Sequence, residues 1–357
     1  MPVLKILLFP LSFLYGFLVY VRNLMFDLEI FKSKEHKVPL ISVGNLCAGG
    51  SGKSPLVEYI VNLLSEHCQV AVISRGYGRE TTGFKLVKAS SYVRDVGDEP
   101  LQIKRKFPKT IVAVSENRNK GIQHLMSHQC QLILMDDGFQ HRWVKPGLNI
   151  LLTTYDNLFI NDYLLPFGSL REGRKRADRA DIIVVTKSPY PLLPLDEYRL
   201  KEQIAPRLHQ KLCFSYINYM KPKLLFEDKS IDITNKKVIL VTAISSSKQI
   251  VDHILEHAQL VNHFEFRDHK FFNKRDILKI IECYKQINSE EKLILTTEKD
   301  ATRLAVFENK FKHLSIAYLP IEVKFHGKTN FNDLILKYAG QDQLNNKLSI
   351  TKDAVCT

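Results

Sequence analysis

The sequence predicts an α/β protein in which a doubly wound, mostly parallel sheet is followed by a second, smaller α/β domain and preceded by an apolar N-terminal helix. Four observations support this fold class. Short apolar runs alternate with segments of helical periodicity along most of the chain. The first such run after the N-terminal segment leads into a glycine-rich turn, and residues 6–21 carry no charge. A chain of 357 residues is long enough for two domains.

The N-terminal segment is the most apolar part of the chain. Its charge-free residues, 6–21, would form a helix of about 24 Å, shorter than the roughly 30 Å hydrocarbon core of a bilayer. Ser12, Gly16 and Tyr20 recur at every fourth position and predict a less apolar stripe, suited to lying in a membrane interface or to packing on the protein. We interpret residues 1–25 as a membrane-associating helix, with a buried core helix as the alternative. Basic residues that suit an anionic leaflet follow the charge-free run at 6–21: Arg22, Lys32, Lys34 and Lys37.

The clearest motif is the glycine-rich turn between a predicted strand at 39–43 and a helical pattern at 56–64. A strand, such a turn and a helix N-terminus form a phosphate-binding loop, in which backbone N–H groups and the helix dipole hold an anion. We therefore expect a P-loop NTPase-like sheet, with Lys53 reaching the β- and γ-phosphates of ATP and the Ser54 hydroxyl ligating Mg²⁺. Cys47 stands where the strict pattern has glycine. The predicted ATP-binding residues are Cys47, Ala48, Gly49, Gly50, Ser51, Gly52, Lys53 and Ser54.

Two pairs of acidic residues follow in positions that suit phosphoryl transfer. Asp136 and Asp137 end an apolar run, as a Walker B carboxylate does, and either residue is a candidate for holding Mg²⁺. The alternative is an Asp pair that caps a turn. Asp98 and Glu99 precede Pro100 at the start of a predicted helix. Either residue could cap that helix, and either could equally well be the carboxylate that takes the proton of an acceptor hydroxyl.

A histidine and several arginines complete the candidate site. His269 follows a predicted strand of the second domain, where a histidine can tune a carboxylate or steady phosphate charge; the alternative is a structural histidine. A basic run at 171–179 suits a phosphorylated ligand, and its alternative is a solvated loop. Further arginines with the same possible role are Arg75, Arg79 and Arg118.

The predicted elements divide the chain into two domains. We assign residues 26–215 to the first domain, 216–235 to a β linker, 236–340 to the second domain and 341–357 to a polar tail that frays. The predicted strands are 39–43, 69–74, 110–114, 132–135, 148–153, 181–186, 211–219, 238–241, 261–266 and 292–296. The predicted helices beyond the first two are 118–128, 248–257, 274–286 and 299–307.

Composition restricts the class of partner. A net charge of +13 and a pI near 9.3 predict an anionic partner: a nucleic acid, an acidic membrane or a phosphorylated substrate. The single tryptophan and the lack of aromatic residues interleaved with basic ones argue against nucleic acid. The six cysteines have no zinc-type spacing and indicate a reducing compartment. We expect a monomer.

Together these motifs resemble those of the tetraacyldisaccharide 4'-kinases, the lipid A 4'-kinases of Gram-negative bacteria. The resemblance runs through most of the chain and rests on the order and number of the motifs. Besides the turn at 43–55, they are Ser74-Arg75-Gly76-Tyr77-Gly78, Val96-Gly97-Asp98-Glu99-Pro100, Asp136-Asp137-Gly138-Phe139-Gln140-His141, Leu170-Arg171-Glu172, Arg179-Ala180-Asp181, Phe266-Arg267-Asp268-His269 and Thr296-Thr297-Glu298-Lys299-Asp300.

The resemblance implies transfer of the ATP γ-phosphoryl group to the 4'-hydroxyl of a tetraacylated glucosamine disaccharide 1-phosphate, giving lipid IVA. It implies that Asp98 is the catalytic carboxylate, that His269 pairs with it from the second domain, and that the protein works at the cytoplasmic face of the inner membrane. The alternative function is a membrane-associated P-loop NTPase switch or assembly factor. Candidate substrate or phosphate contacts are Arg75, Tyr77, Glu99, Arg118, Gln140, His141 and Arg171.

Overall fold

The computed structural model describes three stretches of the chain: residues 8–268, 270–327 and 330–340. The predicted catalytic histidine, His269, and the predicted tail at 341–357 lie outside the described residues. Within the described stretches, strands alternate with helices as predicted, and the sheets are mostly parallel. The predicted α/β fold class is confirmed.

The chain divides into two compact units. The first comprises Met1–Tyr216 and Val323–Thr357, and the second comprises Ile217–Glu322. The first boundary lies next to the predicted one, but the chain returns to the first unit near its end instead of remaining in the second. The physical reason is that the last strand joins the sheet of the first unit, and the Tyr338 hydroxyl donates to the Leu40 carbonyl oxygen at 3.2 Å.

Two sheets organise these units. The strands of the described residues are β1 (Leu40–Asn45), β2 (Val70–Ser74), β3 (Lys85–Leu86), β4 (Ile111–Val114), β5 (Leu132–Asp136), β6 (Leu148–Thr154), β7 (Ile182–Thr186), β8 (Lys211–Tyr219), β9 (Lys223–Leu224), β10 (Lys237–Thr242), β11 (Gln259–Glu265), β12 (Lys292–Thr297), β13 (Ile316–Leu319) and β14 (Ile321–Phe325). The nine-stranded sheet has the order β14-β8-β7-β6-β1-β5-β2-β4-β3, and the five-stranded sheet has the order β11-β10-β12-β13-β9. Strand β9 lies within the predicted linker, so part of that segment is an edge strand of the second sheet.

The parallel strands β1, β2 and β5 are buried along their whole length. They read as continuous apolar runs because helices cover both faces of such a sheet. Since β1 and β2 each pair in parallel with β5, their carboxyl ends lie at one edge of the sheet. Ligands of open α/β sheets bind at that edge.

Every predicted helix is present, and four further helical segments were not predicted: Val93–Val96, Pro194–Ile204, Glu308–Phe311 and 331–340. The helices are Phe9–Asp27, Lys53–Ser65, Val93–Val96, Asp98–Lys106, Arg118–Met126, Pro194–Ile204, Lys248–His257, Lys274–Gln286, Glu298–Leu304 and Glu308–Phe311, with 3₁₀ turns at Phe159–Asn161, Arg174–Arg179 and Ala305–Phe307 and a helical stretch at 331–340. A capping box starts one of them: the Asn273 side chain accepts from the Asp276 amide, and Asp276 accepts from the Asn273 amide. The predicted helix at 299–307 stops earlier and continues as a 3₁₀ turn.

The N-terminal helix, Phe9–Asp27, ends two residues beyond the predicted membrane-associating helix at 1–25. Ser12 and Asn23 are buried, and a Cβ at Gly16 would lie 2.7 Å from a leucine methyl group, so this side packs on the protein. Tyr20, placed in the same stripe by the sequence, is exposed. A helix turns about 100° per residue, so Tyr20 lies about 80° from Ser12, whereas Asn23 lies about 20° from it.

Candidate active site

The predicted phosphate-binding loop connects the end of β1 with the helix Lys53–Ser65. Gly49 and Gly52 have φ values of +115° and +82°, which glycine adopts far more readily than other residues. Lys53 and Ser54 open the first helical turn, where unsatisfied N–H groups and the helix dipole favour an anion. The predicted loop residues therefore form a turn of the kind that binds phosphate.

Neighbouring segments hold this loop in place. The Ala48 amide donates to the Ser169 carbonyl oxygen at 2.7 Å. On the other side, the hydroxyl of Thr186, at the end of β7, donates to the Ser51 carbonyl oxygen at 2.8 Å. Burial raises the pKa of the Cys47 thiol to about 11, so this side chain is a neutral thiol at physiological pH. The loop conformation is thus supported by the surrounding chain as well as by its glycines.

Lys53 lies beside the carboxylate at the end of the neighbouring strand. Its Nζ donates to Asn45 Oδ1 at 3.0 Å and lies 3.5 Å from Asp137 Oδ1. Arg171 Nη1 lies 3.1 Å from Asp137 Oδ2. Burial acts to raise the pKa of Asp137, but Lys53 and Arg171 outweigh it, and the pKa lies below its ordinary value. Asp137 is therefore an ionised group held between two cations.

Asp136, the last residue of β5, is 5% exposed, and its Oδ1 accepts no hydrogen bond from the described residues. Burial raises its pKa from 3.8 to about 6, and the charges of Asp137 and Glu99 add to the rise. Arg118 donates from Nη2 to the Asp136 carbonyl oxygen at 3.2 Å, and burial lowers the pKa of Arg118 to about 10. A buried carboxylate oxygen without a partner, beside a phosphate-binding loop, fits Mg²⁺, which prefers oxygen ligands.

The turn after β2 packs against the start of the helix that begins at Asp98. A Cβ at Gly97, whose φ is +89°, would lie 3.1 Å from the Tyr77 carbonyl oxygen and 3.3 Å from Gly76 Cα. Asp98 is 4% exposed, whereas Arg75 and Tyr77 are exposed. The contact places the start of this helix beside the carboxyl end of β2, at the sheet edge that also carries the phosphate-binding loop.

Two more predicted residues lie beside the loop. Gln140 Nε2 donates to the Asn45 carbonyl oxygen at 2.6 Å. Burial, together with the charge of Arg118, lowers the pKa of His141 to about 4, so its ring is neutral at physiological pH. His141 Nε2 is buried and has no hydrogen-bond partner in the part of the chain that the structure describes. A neutral imidazole nitrogen can donate or accept one hydrogen bond, depending on its tautomer.

Sequence reasoning missed Asn45, Thr186 and Glu172 as parts of this site. Asn45 accepts from Lys53, Thr186 holds the loop, and Glu172 is 1% exposed and pairs with Arg179. Two of these residues had a detectable signal, because Asn45 lies in the motif at 43–55 and Glu172 follows Arg171 within another motif. A buried glutamate cannot be told from a solvated one by its local sequence.

The first strand of a parallel sheet leads into a glycine-rich loop, and a lysine after that loop faces an aspartate at the end of a neighbouring strand. These two features define a nucleotide-binding protein of the P-loop class. Comparison with known sequences identifies the family within that class. The chain belongs to the tetraacyldisaccharide-1-P 4'-kinase family, because the model of that family matches residues 4–339. The predicted family membership is confirmed.

Individual relatives resemble nearly the whole chain. Tetraacyldisaccharide 4'-kinase of Bacteroides thetaiotaomicron is 40% identical over 367 residues, covering 97% of this chain and 96% of its own. The protein of the same name from Flavobacterium psychrophilum is 38% identical over 353 residues, covering 97% and 100%. The crystal structure of LpxK from Aquifex aeolicus in complex with ATP has a TM-score of 0.73 at 29% identity, covering 94% of this chain and 99% of that one.

Proposed function

We propose that this protein is a kinase that transfers the γ-phosphoryl group of ATP to the 4'-hydroxyl of a tetraacylated glucosamine disaccharide 1-phosphate, giving the bisphosphorylated lipid A precursor. The observation that carries the proposal is that Lys53, at the end of the phosphate-binding loop, lies 3.5 Å from Asp137. The model of the kinase family matches residues 4–339 of the same chain. Phosphoryl transfer mainly requires positioned reactants and neutralised phosphate charge. The net charge of +13 suits an acceptor that itself carries phosphate.

The nucleotide would bind at residues 47–54. The N–H groups of the loop and of the first helical turn would hold the phosphates, and Lys53 would neutralise charge on the β- and γ-phosphates. We propose that the Ser54 hydroxyl and Asp136 hold Mg²⁺, with Asp137 as the second candidate. When bound, the ion neutralises charge on the phosphate oxygens.

Asp98 is proposed as the carboxylate that accepts the proton of the 4'-hydroxyl. Its burial and its position at the sheet edge that carries the loop support this role. The family resemblance further implies that His269 pairs with Asp98 and raises its basicity, and we propose that role for it. Residues proposed to contact the acceptor or the phosphates are Arg75, Tyr77, Glu99, Arg118, Gln140, His141 and Arg171.

The N-terminal helix, Phe9–Asp27, is proposed to hold the protein, as a monomer, on the cytoplasmic face of the inner membrane. By length and composition it is long and apolar enough to cross a membrane. Only 17% of its most apolar stretch of 18 residues is buried. Its polar side faces the protein, so the opposite side is available to lipid. The large apolar side chains exposed on it are Phe9, Leu11, Phe13, Leu14, Phe17, Leu18, Tyr20 and Leu24.

The central experiment incubates the purified protein, in detergent micelles, with ATP, Mg²⁺ and the disaccharide acceptor. Mass spectrometry should detect an acceptor that has gained one phosphoryl group. An acceptor without a free 4'-hydroxyl is the control and should gain none. A folded sample that hydrolyses ATP but leaves the acceptor unchanged would contradict the proposal and favour the NTPase switch.

The role of Asp98 is tested by Asp98→Asn, which keeps the size of the side chain and removes its basicity. The turnover number should fall by about 10²–10⁴-fold, because a general base contributes on that order, while ATP affinity is retained. Asp95→Asn, three residues earlier, is the matched control and should leave turnover unchanged. Wild-type turnover by the Asp98 variant would remove this residue from the mechanism. His269→Ala should lower the turnover number and alter its pH profile.

Membrane association is tested with Phe13→Ser combined with Phe17→Ser. Both side chains are more than half exposed, and each contributes about 1.5–3 kcal/mol when it enters an apolar phase. Cosedimentation with anionic phospholipid vesicles should therefore fall by tenfold or more. Leu208→Ser, at a fully exposed leucine elsewhere, is the control and should have no effect. Unchanged cosedimentation of the double variant would refute the membrane role of the helix.

A further inference from the structure

The N-terminal helix is held to the rest of the first unit by hydrogen bonds as well as by packing. We call four of its residues the polar stripe: Ser12, Tyr15, Arg22 and Asn23. The Ser12 hydroxyl donates to the Leu164 carbonyl oxygen at 2.7 Å, and the Tyr15 hydroxyl donates to the Arg171 carbonyl oxygen at 2.9 Å. These partners are far away in sequence and close to the phosphate-binding loop, so the stripe has contacts that a simple membrane anchor does not require.

One series of hydrogen bonds leads from the polar stripe to the loop lysine. Arg22 Nη2 donates to the Gln140 carbonyl oxygen at 2.9 Å. The Gln140 side chain donates to the Asn45 carbonyl oxygen at 2.6 Å. Asn45 Oδ1 in turn accepts from Lys53 Nζ at 3.0 Å. Only two residues therefore separate a side chain of the helix from the lysine that is proposed to hold the nucleotide phosphates.

The polar stripe also provides partners for the buried Glu172 carboxylate. Arg22 Nη1 lies 3.5 Å from Glu172 Oε1, and Asn23 Nδ2 donates to the same oxygen at 3.3 Å. Arg179 pairs with the other oxygen. A carboxylate that is 1% exposed requires such partners, because an uncompensated buried charge is strongly destabilising. The helix is thus part of what stabilises the segment around residue 172.

This segment leads to Lys53 by a second series of contacts. Arg171 precedes Glu172 and receives the Tyr15 hydroxyl on its carbonyl oxygen. Its guanidinium Nη1 contacts both carboxylate oxygens of Asp137, at 3.3 and 3.1 Å. Asp137 Oδ1 lies 3.5 Å from Lys53 Nζ. Both series end on the same ammonium group, one through Asn45 and the other through Asp137.

We propose that the polar stripe of the N-terminal helix positions Lys53 for nucleotide binding, so that the helix supports the ATP site even where no membrane is present. The inference rests on the proposed function, because it assumes that ATP binds at the loop. Arg22 is then a positioning residue that acts through Gln140 and Glu172. The apolar side of the same helix has a separate role and does not act on the nucleotide.

The test measures ATP affinity by isothermal titration calorimetry in detergent micelles without phospholipid. Arg22→Ala should weaken ATP binding by about 10–100-fold, the range expected for loss of hydrogen bonds to a charged donor. Arg22→Lys keeps a donor and a positive charge, and it should recover most of that affinity. Phe13→Ser, on the exposed side of the same helix, is the matched control and should bind ATP as the wild type does. Melting temperatures without nucleotide show which variants are folded.

The outcomes distinguish this inference from the proposed function. If the wild type binds no ATP, the proposed function fails and the inference fails with it. If the wild type binds ATP and folded Arg22→Ala binds it equally well, only the inference is overturned. If Arg22→Ala does not fold, Tyr15→Phe replaces it, since this change removes one hydroxyl and no charge. A severalfold loss of ATP affinity in Tyr15→Phe supports the inference, and wild-type affinity overturns it.

Discussion

Asp136→Asn is expected to stabilise the unliganded protein above pH 6. Asp136 is buried at the end of β5, and burial raises its pKa from 3.8 to about 6. An acid whose pKa is higher in the folded state contributes stability at low pH, and this contribution is lost as the pH rises through the folded pKa. At neutral pH, the folded protein therefore contains a buried negative charge that the unfolded chain would expose to water. Asparagine removes that charge and keeps the shape.

The pKa shift sets the magnitude of the effect. The rise is about two pKa units, each worth about 1.36 kcal/mol, so the destabilisation is about 3 kcal/mol at pH 8. At pH 5, between the two pKa values, roughly half of it remains. The free energy of unfolding of Asp136→Asn should therefore exceed that of the wild type by about 3 kcal/mol at pH 8 and by about half as much at pH 5.

The neighbouring aspartate is a control of opposite sign. Burial acts to raise the pKa of Asp137, but Lys53 and Arg171 lower it below the ordinary value. Its ionised form therefore stabilises the folded protein above the unfolded pKa, and this stabilisation is lost as the pH falls through the folded pKa. Asp137→Asn should accordingly lower the free energy of unfolding at pH 8. Two adjacent, chemically identical substitutions are thus expected to change stability in opposite directions.

Urea unfolding followed by far-UV circular dichroism, at pH 5 and pH 8, measures both effects. Adding ATP with Mg²⁺ at pH 8 should stabilise the wild type more than Asp136→Asn, because the variant has lost a proposed ligand of the ion. The reasoning is refuted if Asp136→Asn is no more stable than the wild type at pH 8. It is also refuted if the difference is independent of pH, or if the two substitutions change stability in the same direction.

Three further substitutions test other parts of the structure. Lys53→Ala should lower kinase turnover by about 10²–10³-fold in steady-state assays, because removing one group that stabilises a transition state costs about that much. Wild-type turnover by this variant would exclude Lys53 from the site. Glu172→Gln should lower the free energy of unfolding by about 3 kcal/mol in urea titrations, because Arg179 loses its counter-charge; an unchanged value would mean that the pair adds nothing. Gly44→Ala should cost about 1–3 kcal/mol of stability, because the new Cβ would lie 2.6 Å from Phe139 Cβ and 2.8 Å from its amide nitrogen; a neutral result by thermal unfolding would contradict this packing.

Much of the fold was predictable because the responsible signals are local. Three elements have the bounds that their periodicity predicts: the helices Lys248–His257 and Lys274–Gln286 and the strand Lys211–Tyr219. The phosphate-binding loop is equally local, since the strand, the glycines and the helix start are consecutive in the chain. The N-terminal helix shows the limit of such reasoning. A four-residue repeat placed Tyr20 on the packed side, but the helical repeat of about 3.6 residues carries it into solvent.

The sequence by itself determined the α/β class, the loop at 47–54 and the acidic pair at the end of the fifth strand, because each depends on residues that are neighbours in the chain. The tertiary structure alone decided that Asp136 is buried with a raised pKa while Asp137 is held between Lys53 and Arg171. It also decided that the N-terminal helix contacts residues 140 and 171 to 172 beside the loop. Burial, desolvation and ion pairing depend on which distant segments meet, and no local pattern of residues records that.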